Sequence, residues 1–146
     1  MRIFLRPVVS SDYDLILAWW GIPQVRNFTS TSSQPSYQQL VDSMGSIGRR
    51  DFMVMYQNRR IGRTCLIDHE DFEEISAYIA EIDLLGKGFG QEAIEATLDY
   101  AVKPTRCRIR DDNIASKAIF AKFGFRLLQS DVIPGYSWYE KIGERR

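Results

Sequence analysis

The stretch from Leu84 to Gln91, Leu-Leu-Gly-Lys-Gly-Phe-Gly-Gln, constrains this chain most. An apolar, strand-like run from Ile75 to Ile82 leads into it, and a helical pattern from Gln91 to Val102 leads out. Glycines at alternate positions, Gly86, Gly88 and Gly90, let a backbone turn tightly and expose its N–H groups. The N-terminus of the following helix adds unpaired donors and the positive end of a dipole. A strand, a turn and a helix in this order are suited to holding phosphate groups. An ordinary glycine-rich turn has the same local pattern, so the stretch alone decides nothing.

Two phosphate-binding motifs can be set aside. A dinucleotide fingerprint needs Gly-x-Gly-x-x-Gly, and counted from Gly86 its third glycine falls on Gln91. That fingerprint also follows the first strand of a doubly wound sheet, whereas this loop lies past mid-chain. A Walker loop needs Gly-Lys followed by Ser or Thr, and here Gly88 follows Lys87.

At 146 residues the chain suits one domain, expected to span residues 1–146. Its 45% apolar content supports a packed core. Nineteen basic and nineteen acidic residues cancel, so bulk charge argues for neither nucleic acid nor an anionic membrane. Cys65 and Cys107 are far apart in apolar, strand-like contexts and read as buried free thiols of a reducing compartment. His69 is the only histidine, and no Cys/His cluster has metal-ligand spacing, so no metal is expected. The segment from Met1 to Arg6 lacks the apolar core of a signal peptide, and no apolar run is long enough to span a bilayer. A cytoplasmic protein is expected.

Read in order, Ile3 to Pro7 is a strand, and Ser11 to Asp14 is a capping box before a helix reaching Trp20 with Leu15, Ile16 and Trp19 on one side. Gly21, Pro23 and the Ser/Thr-rich stretch from Thr29 to Ser33 break that pattern. Ser36 to Gln39 caps a second helix carrying Leu40, Val41, Met44 and Ile47, weakened at its end by Gly45 and Gly48. Phe52 to Tyr56 and Ile61 to Ile67 form a hairpin across the turn from Gln57 to Arg60. Asp68 to Glu74 is an acidic turn before the strand that ends near Ile82. The next helix presents Ala93, Ile94, Thr97, Leu98, Ala101 and Val102 on one face, and Pro104 stops it. Cys107 to Arg110 is a short strand, and Asn113 opens a helix with Ala115, Ala118, Ile119 and Phe123 inward and Gly124 at its C-terminal turn. Phe125 to Leu128 and Tyr136 to Ile142 are the last strands, joined through Pro134 and Gly135. The order is β-α-α-β-β-β-α-β-α-β-β.

A second stretch bears on the glycine loop. Asn113 to Ser116 and then Lys122 to Phe125 follow a short strand. Together the two stretches resemble the GNAT superfamily of acyl-CoA N-acyltransferases. That family carries Arg/Gln-x-x-Gly-x-Gly/Ala at its pyrophosphate loop and Asn-x-x-Ser or Asn-x-x-x-Ala on the following helix, ending in Gly-Phe. Gly88 and Gly90 match the loop glycines, while Leu85 replaces the Arg/Gln, which removes a side-chain contact but no backbone donor. The resemblance runs from about Ile3 to Ile142, and the element order agrees with it. It implies an α/β (α+β) fold with a central mixed, mostly antiparallel sheet of about seven strands flanked by helices. Leu5 to Pro7, Trp19-Trp20 and Val25 to Phe28 look most like the branch of ribosomal-protein N-terminal and aminoglycoside 6′-N-acetyltransferases.

The resemblance implies acetyl-CoA as cofactor, with Ile79 and Ala80 pairing their backbone with its pantetheine arm. Leu85, Gly86, Lys87, Gly88, Phe89, Gly90 and Gln91 would hold the pyrophosphate. Asn113 would serve as helix N-cap and cofactor contact at once, and Ser116 would lie beside the leaving sulfur or simply on the helix surface. Phe120 stands where many members place a tyrosine acid; phenylalanine has no proton to give, so its ring would instead bind the cofactor by packing against the pantetheine arm. Acyl transfer to an amine also needs the amine neutral, the reactants held together and donors for the oxyanion. Glu74 is the first candidate base, although its register then requires a bulge; Glu73, His69 and Glu81 are rivals.

The acidic run from Asp68 to Glu74 could attract a cationic amine or could be a solvated turn. Trp19, Trp20, Phe28, Tyr136, Trp138 and Tyr139 could line an acceptor cleft or belong to the core. The expected partner is a small-molecule or peptide amine, such as a protein N-terminus, aminoglycoside, polyamine or amino sugar, met by a monomer or homodimer. Rival readings are a non-catalytic acyl-CoA-binding module and an acyltransferase with another acyl chain or an O-acceptor.

Overall fold

A two-residue turn shapes the first half of the sheet. Gln57 and Asn58 both hold left-handed backbone conformations, with φ of 48° and 64°, so β2 (Arg49–Tyr56) reverses directly into β3 (Arg59–His69). Such a turn matches the natural twist of paired strands. The computed structural model describes residues 1–26, 35–44 and 46–142. Phe28, Asn27, Gly45 and the stretch from Thr29 to Ser33 lie outside the described residues.

Seven strands form one sheet in the order β1-β2-β3-β4-β5-β7-β6. The others are β1 (Phe4–Pro7), β4 (Phe72–Ile79), β5 (Thr105–Arg110), β6 (Phe125–Ile133) and β7 (Tyr136–Lys141). The pair β4 and β5 is parallel, joined by the crossover helix α4 below, and the remaining pairs are antiparallel. This is the mixed, mostly antiparallel α/β architecture expected from the resemblance.

Helices cover both faces. On one, α1 (Tyr13–Trp19), α2 (Pro23–Arg26) and α3 (Tyr37–Met44) pack Ile16, Trp19, Trp20, Val25 and Leu40 on Met53, Met55 and Tyr78. On the other, α4 (Phe89–Leu98) and α5 (Ile114–Lys122) pack Ile94, Leu98 and Phe120 on Leu66, Ile75, Cys107 and Ile109. Burying one such aliphatic side chain contributes about 1.5–3 kcal/mol. A buried bond from Thr97 Oγ1 to Thr64 Oγ1 at 2.8 Å ties α4 to β3.

Local chemistry explains where the elements depart from expectation. The box at Ser36 forms: Ser36 Oγ accepts the Gln39 N–H at 3.1 Å and Gln39 Oε1 accepts the Ser36 N–H at 2.8 Å. The helix it opens stops at Met44, so Ile47 is exposed rather than on its inner face. At α1 the cap is not a Ser11–Asp14 pair. A short 3-10 turn, Ser10–Asp12, precedes the helix, and the buried Asp12 carboxylate accepts the Val9 N–H at 2.9 Å. Pro23 begins a helical turn rather than ending one, since the first helical position has no N–H to lose.

Helix α4 starts at Phe89, because Gly88 in left-handed conformation caps it, and ends at Leu98, which leaves Val102 exposed. The acidic stretch is mostly strand: Asp68 and His69 close β3, and Phe72 to Glu74 open β4. In α5, Ala115 and Ala118 face solvent, while Ser116, Ile119, Phe120 and Phe123 form the inward side. Among the described residues no helix is long and apolar enough to cross a membrane.

Candidate active site

The site begins with a divergence. Strands β4 and β5 pair only at Glu73↔Thr105 and Glu74↔Arg106, yet β4 continues to Ile79 and β5 to Arg110. A wedge opens between them. Backbone groups along a strand point alternately to its two neighbours. Ala80 donates its N–H to Ile61 O on the β3 side at 2.8 Å, and Glu73 donates to Pro104 O on the β5 side at 2.9 Å. Odd-numbered residues of β4 therefore face the wedge. The N–H groups of Ala77 and Ile79 point into it beyond the last paired rung, whereas that of Ala80 is spent on β3.

A cleft of about 460 Å³ passes through the wedge. Trp20, Leu40, Met44, Arg49 and Arg63 line its α1/α3 side, and Ile75, Ala77, Cys107, Asn113, Ser116 and Phe120 line its α4/α5 side. Glu74 and Arg108 stand between. The cleft thus brings together Glu74, Asn113, Ser116 and Phe120, residues up to 46 positions apart in sequence.

Asn113 caps α5 by accepting the Ser116 N–H on Oδ1 at 3.1 Å, which turns both residues to the cleft. Phe120 reaches the cleft but is also core, edge-on to Phe125 at 5.1 Å. Of the aromatics, Trp20 and Tyr136 line the cleft, Trp19 and Tyr139 pack in the core, and Trp138 lies against His69 and Phe72.

Glu74 is the one carboxylate among the described residues that line the cleft. Its side chain is 7% exposed. It accepts from Arg108 Nε at 2.9 Å and Nη2 at 3.4 Å, and meets His69 Nε2 at 3.0 Å. The ring of His69 is partly open to solvent and stacks on Phe72 with centroids 4.5 Å apart. The register from β3 to β4 is unbroken, so Glu74 needs no bulge to face the cleft.

Of the rivals, His69 stays beside Glu74, whereas Glu73 and Glu81 are engaged elsewhere, as is Asp68 of the same acidic stretch. Glu73 binds Arg50 at 2.8 Å and the Val102 N–H at 3.0 Å, Asp68 binds Lys103, and Glu81 lies 3.8 Å from Arg59. Asp68, Glu73 and Glu74 of the acidic run are thus paired with cations from other elements, while Glu70 and Asp71 sit exposed at the turn between β3 and β4. Cys65 and Cys107 are free and buried, and burial pushes both thiols upward, which keeps them protonated and poor nucleophiles.

The glycine loop lies beyond the C-terminal end of β4. Gly86 and Gly88 hold φ of 73° and 87°, values that side chains adopt at a cost. Leu85 and Lys87 are exposed, but the Phe89 ring is buried against Tyr56 at 4.7 Å, so only its backbone is available to a ligand. Arg2, absent from the sequence reading, fixes this loop. Its guanidinium donates to Lys87 O at 2.8 Å and Glu92 Oε2 at 2.6 Å and lies over the Phe89 ring at 4.0 Å. Lys122, which the sequence placed only in the stretch ending in Gly-Phe, reaches Gln91 Oε1 with its ammonium at 3.3 Å, which adds a cation beside the start of α4.

A strand edge with unpaired donors, followed by a glycine loop at a helix N-terminus, fits a long phosphorylated thioester. Residues 2–126 match the model of the acetyltransferase (GNAT) domain. The chain belongs to the GNAT family. An uncharacterised N-acetyltransferase p20 of Bacillus licheniformis is 28% identical over 111 residues, 68% of this chain and 62% of its own length. An uncharacterised protein of Methanocaldococcus jannaschii is 25% identical over 86% of this chain, which spans only 28% of that relative. Among solved structures, aminoglycoside acetyltransferase AAC(6')-Ib with paromomycin and acetyl-CoA superposes with a TM-score of 0.81 at 15% identity, over 96% of this chain and 92% of that one. Spermidine N-acetyltransferase of Vibrio cholerae with CoA and spermine gives 0.77 at 19% identity, over 95% and 93%. These two likenesses concern the GNAT fold.

Proposed function

We propose that this GNAT domain moves an acetyl group from acetyl-CoA to a primary amine. The observation that carries the reading is the wedge: β4 offers the N–H groups of Ala77 and Ile79 to a cleft that also holds Glu74, Asn113 and Ser116. When bound, acetyl-CoA supplies the activated acyl group.

The residues then divide the work. The edge of β4 orients the pantetheine arm, and the Ile79 or Ala77 N–H stabilises negative charge growing on the carbonyl oxygen. The backbone from Leu85 to Gln91 faces the pyrophosphate. Glu74 takes the proton that the attacking amine gives up and shares it across the 3.0 Å contact with His69, whose partly exposed ring opens to water. Ser116, or water, returns a proton to the departing sulfur, since Phe120 has none to give. The two buried thiols stay protonated, so the acyl group passes directly to the amine.

The deciding experiment is a screen of amine acceptors with acetyl-CoA, reading released thiol. Release that depends on added amine is expected, with one acetyl-CoA bound per chain by calorimetry. Folded protein that binds no CoA species refutes the reading. The rival of a non-catalytic acyl-CoA-binding module draws on Phe120 and on the clamp of Arg108 on Glu74; acetyl-CoA binding without amine-dependent release would favour it.

A further inference from the structure

The walls of the cleft are cationic. Arg49, Arg63, Arg108 and Arg110 line it, against the single carboxylate of Glu74. Arg108 is matched by Glu74 and Arg110 by Asp112. Arg49 and Arg63 share Asp51, and they share it unequally. Arg49 takes it bidentately at 2.8 and 3.1 Å, leaving Arg63 3.5 Å away. The other hydrogen-bond partner of Arg63 is a thioether, Met44 Sδ at 3.7 Å. One guanidinium, 9% exposed, thus faces the cleft with its one paired anion 3.5 Å away and already held on both oxygens by Arg49.

Two further groups at the same end lack partners. The indole N–H of Trp20, on the cleft wall, and the hydroxyl of Tyr78, whose ring lies 5.6 Å from the Arg63 guanidinium, are both buried and unpaired. Buried donors without acceptors are costly and uncommon. Arg63 pairs in register with Tyr78, one residue beyond Ala77 and one strand in from the wedge edge, about 4.8 Å away. An anion there would lie within a few bonds of an amine at the wedge.

We infer that the acceptor is a primary amine carrying an anionic oxygen group, carboxylate or phosphate, a few bonds from its nitrogen, with Arg63 and Trp20 receiving that group. The inference rests on the acetyltransferase reading above and narrows it. Polycations such as spermine and paromomycin, bound by the two structural neighbours, would set several ammonium groups against this wall.

Matched pairs test it: phenylalanine against phenethylamine and phosphoethanolamine against ethanolamine, with spermidine and kanamycin alongside. The anionic member of at least one pair is expected to have a kcat/KM roughly 10- to 100-fold above its partner, the size of a charge-assisted hydrogen bond. The two pairs separate carboxylate from phosphate. Arg63→Gln should erase the preference through KM, with acetyl-CoA affinity unchanged, and Arg63→Lys should restore part of it. If the Arg63 variants do not fold, wild-type inhibition by acetate or inorganic phosphate, competitive with the amine and not with acetyl-CoA, replaces them. Equal rates within both pairs, faster turnover of spermidine or kanamycin, a folded Arg63→Gln that keeps the preference, or no competitive inhibition by either anion overturns the inference alone. Bound acetyl-CoA with no thiol release from any amine overturns the enzyme reading and the inference with it.

Discussion

The three loop glycines should respond differently to the same methyl group. Gly86 and Gly88 hold left-handed backbone, so alanine at either position costs about 1–2 kcal/mol from conformation. Crowding adds little. A Cβ at Gly86 meets nothing within 4 Å, and at Gly88 it meets the flexible end of Arg2 at 3.3 Å. Gly90 is already inside α4 and outside the left-handed region, and its Cβ would touch Ile79 Cγ1 at an ordinary 3.9 Å. Gly90→Ala should therefore stabilise the helix by about 0.5–1 kcal/mol. In thermal melts a chain of this size moves by about 3 °C per kcal/mol, so the three variants should separate by direction. Calorimetry with acetyl-CoA adds the functional half. Gly88→Val, which also bulks the helix N-terminus, should weaken binding about tenfold or more, while Gly90→Ala should retain it. A Gly88→Ala protein as stable as wild type refutes the conformational argument. A folded Gly88→Val with unchanged affinity refutes the placement of the pyrophosphate.

Other outcomes follow from single contacts. Glu74→Gln should lower kcat by about 10²–10⁴ and change the pH–rate profile while sparing acetyl-CoA affinity; an unchanged profile moves the base elsewhere. Ser116→Ala should lower turnover by no more than about 10², because a CoA thiol resembles a free cysteine, of pKa about 8.5, and leaves tolerably unaided; a larger loss makes Ser116 the essential acid. The Arg6 guanidinium, bidentate at 2.8 Å, holds the buried Asp12 carboxyl down from 3.8 to about 2. A depressed carboxyl stabilises the fold above its unfolded pKa. Asp12→Asn should thus cost about 2 kcal/mol near neutral pH, and its deficit should shrink as pH falls from about 4 to 2 in denaturant titrations; a deficit constant with pH would mean that packing, not charge, is lost.

The fold was legible because period, glycine placement and element order agreed along the chain. The reciprocal Ser36–Gln39 cap and the Asn113 cap were readable since both bonds are local, spanning three residues. Charge pairing was not readable. Asp68, Glu73 and Glu74 look like a solvated run, yet their partners Lys103, Arg50 and Arg108 come from 23 to 35 positions away. Arg2 escaped notice because its partners, Lys87 and Glu92, meet it only when β1 lies beside α4. Arg63 carried a weak signal: it sits inside the run Ile61 to Ile67, which otherwise reads as buried strand. A charge in such a run asks for a partner. The role of Phe120 shifted too. It reaches the cleft but belongs to the core, so Phe120→Ala would lower stability by about 3–5 kcal/mol and blur any reading of cofactor affinity.

A parallel pair that separates after two rungs must be held at its vertex, or the wedge would close into a ladder or fray. Glu74↔Arg106 is the last rung, and Arg108, the next residue of β5 on the same face, reaches back to Glu74 with two donors. The ion pair spans the point where backbone hydrogen bonding stops. Both partners are largely withdrawn from water, where removal of one member of a pair is costlier than the pair's net contribution. The clamp also fixes how Glu74 meets the cleft, with His69 on one carboxylate oxygen and Arg108 on both. Positioning of the strands and positioning of the proton acceptor therefore share one contact. Arg108→Lys keeps the charge but loses the fork, so it should loosen both functions together, whereas Glu74→Gln keeps a hydrogen-bond acceptor for Arg108 and removes the proton acceptor. If Arg108→Lys weakens acetyl-CoA binding and Glu74→Gln does not, the wedge depends on the fork and the chemistry on the carboxylate.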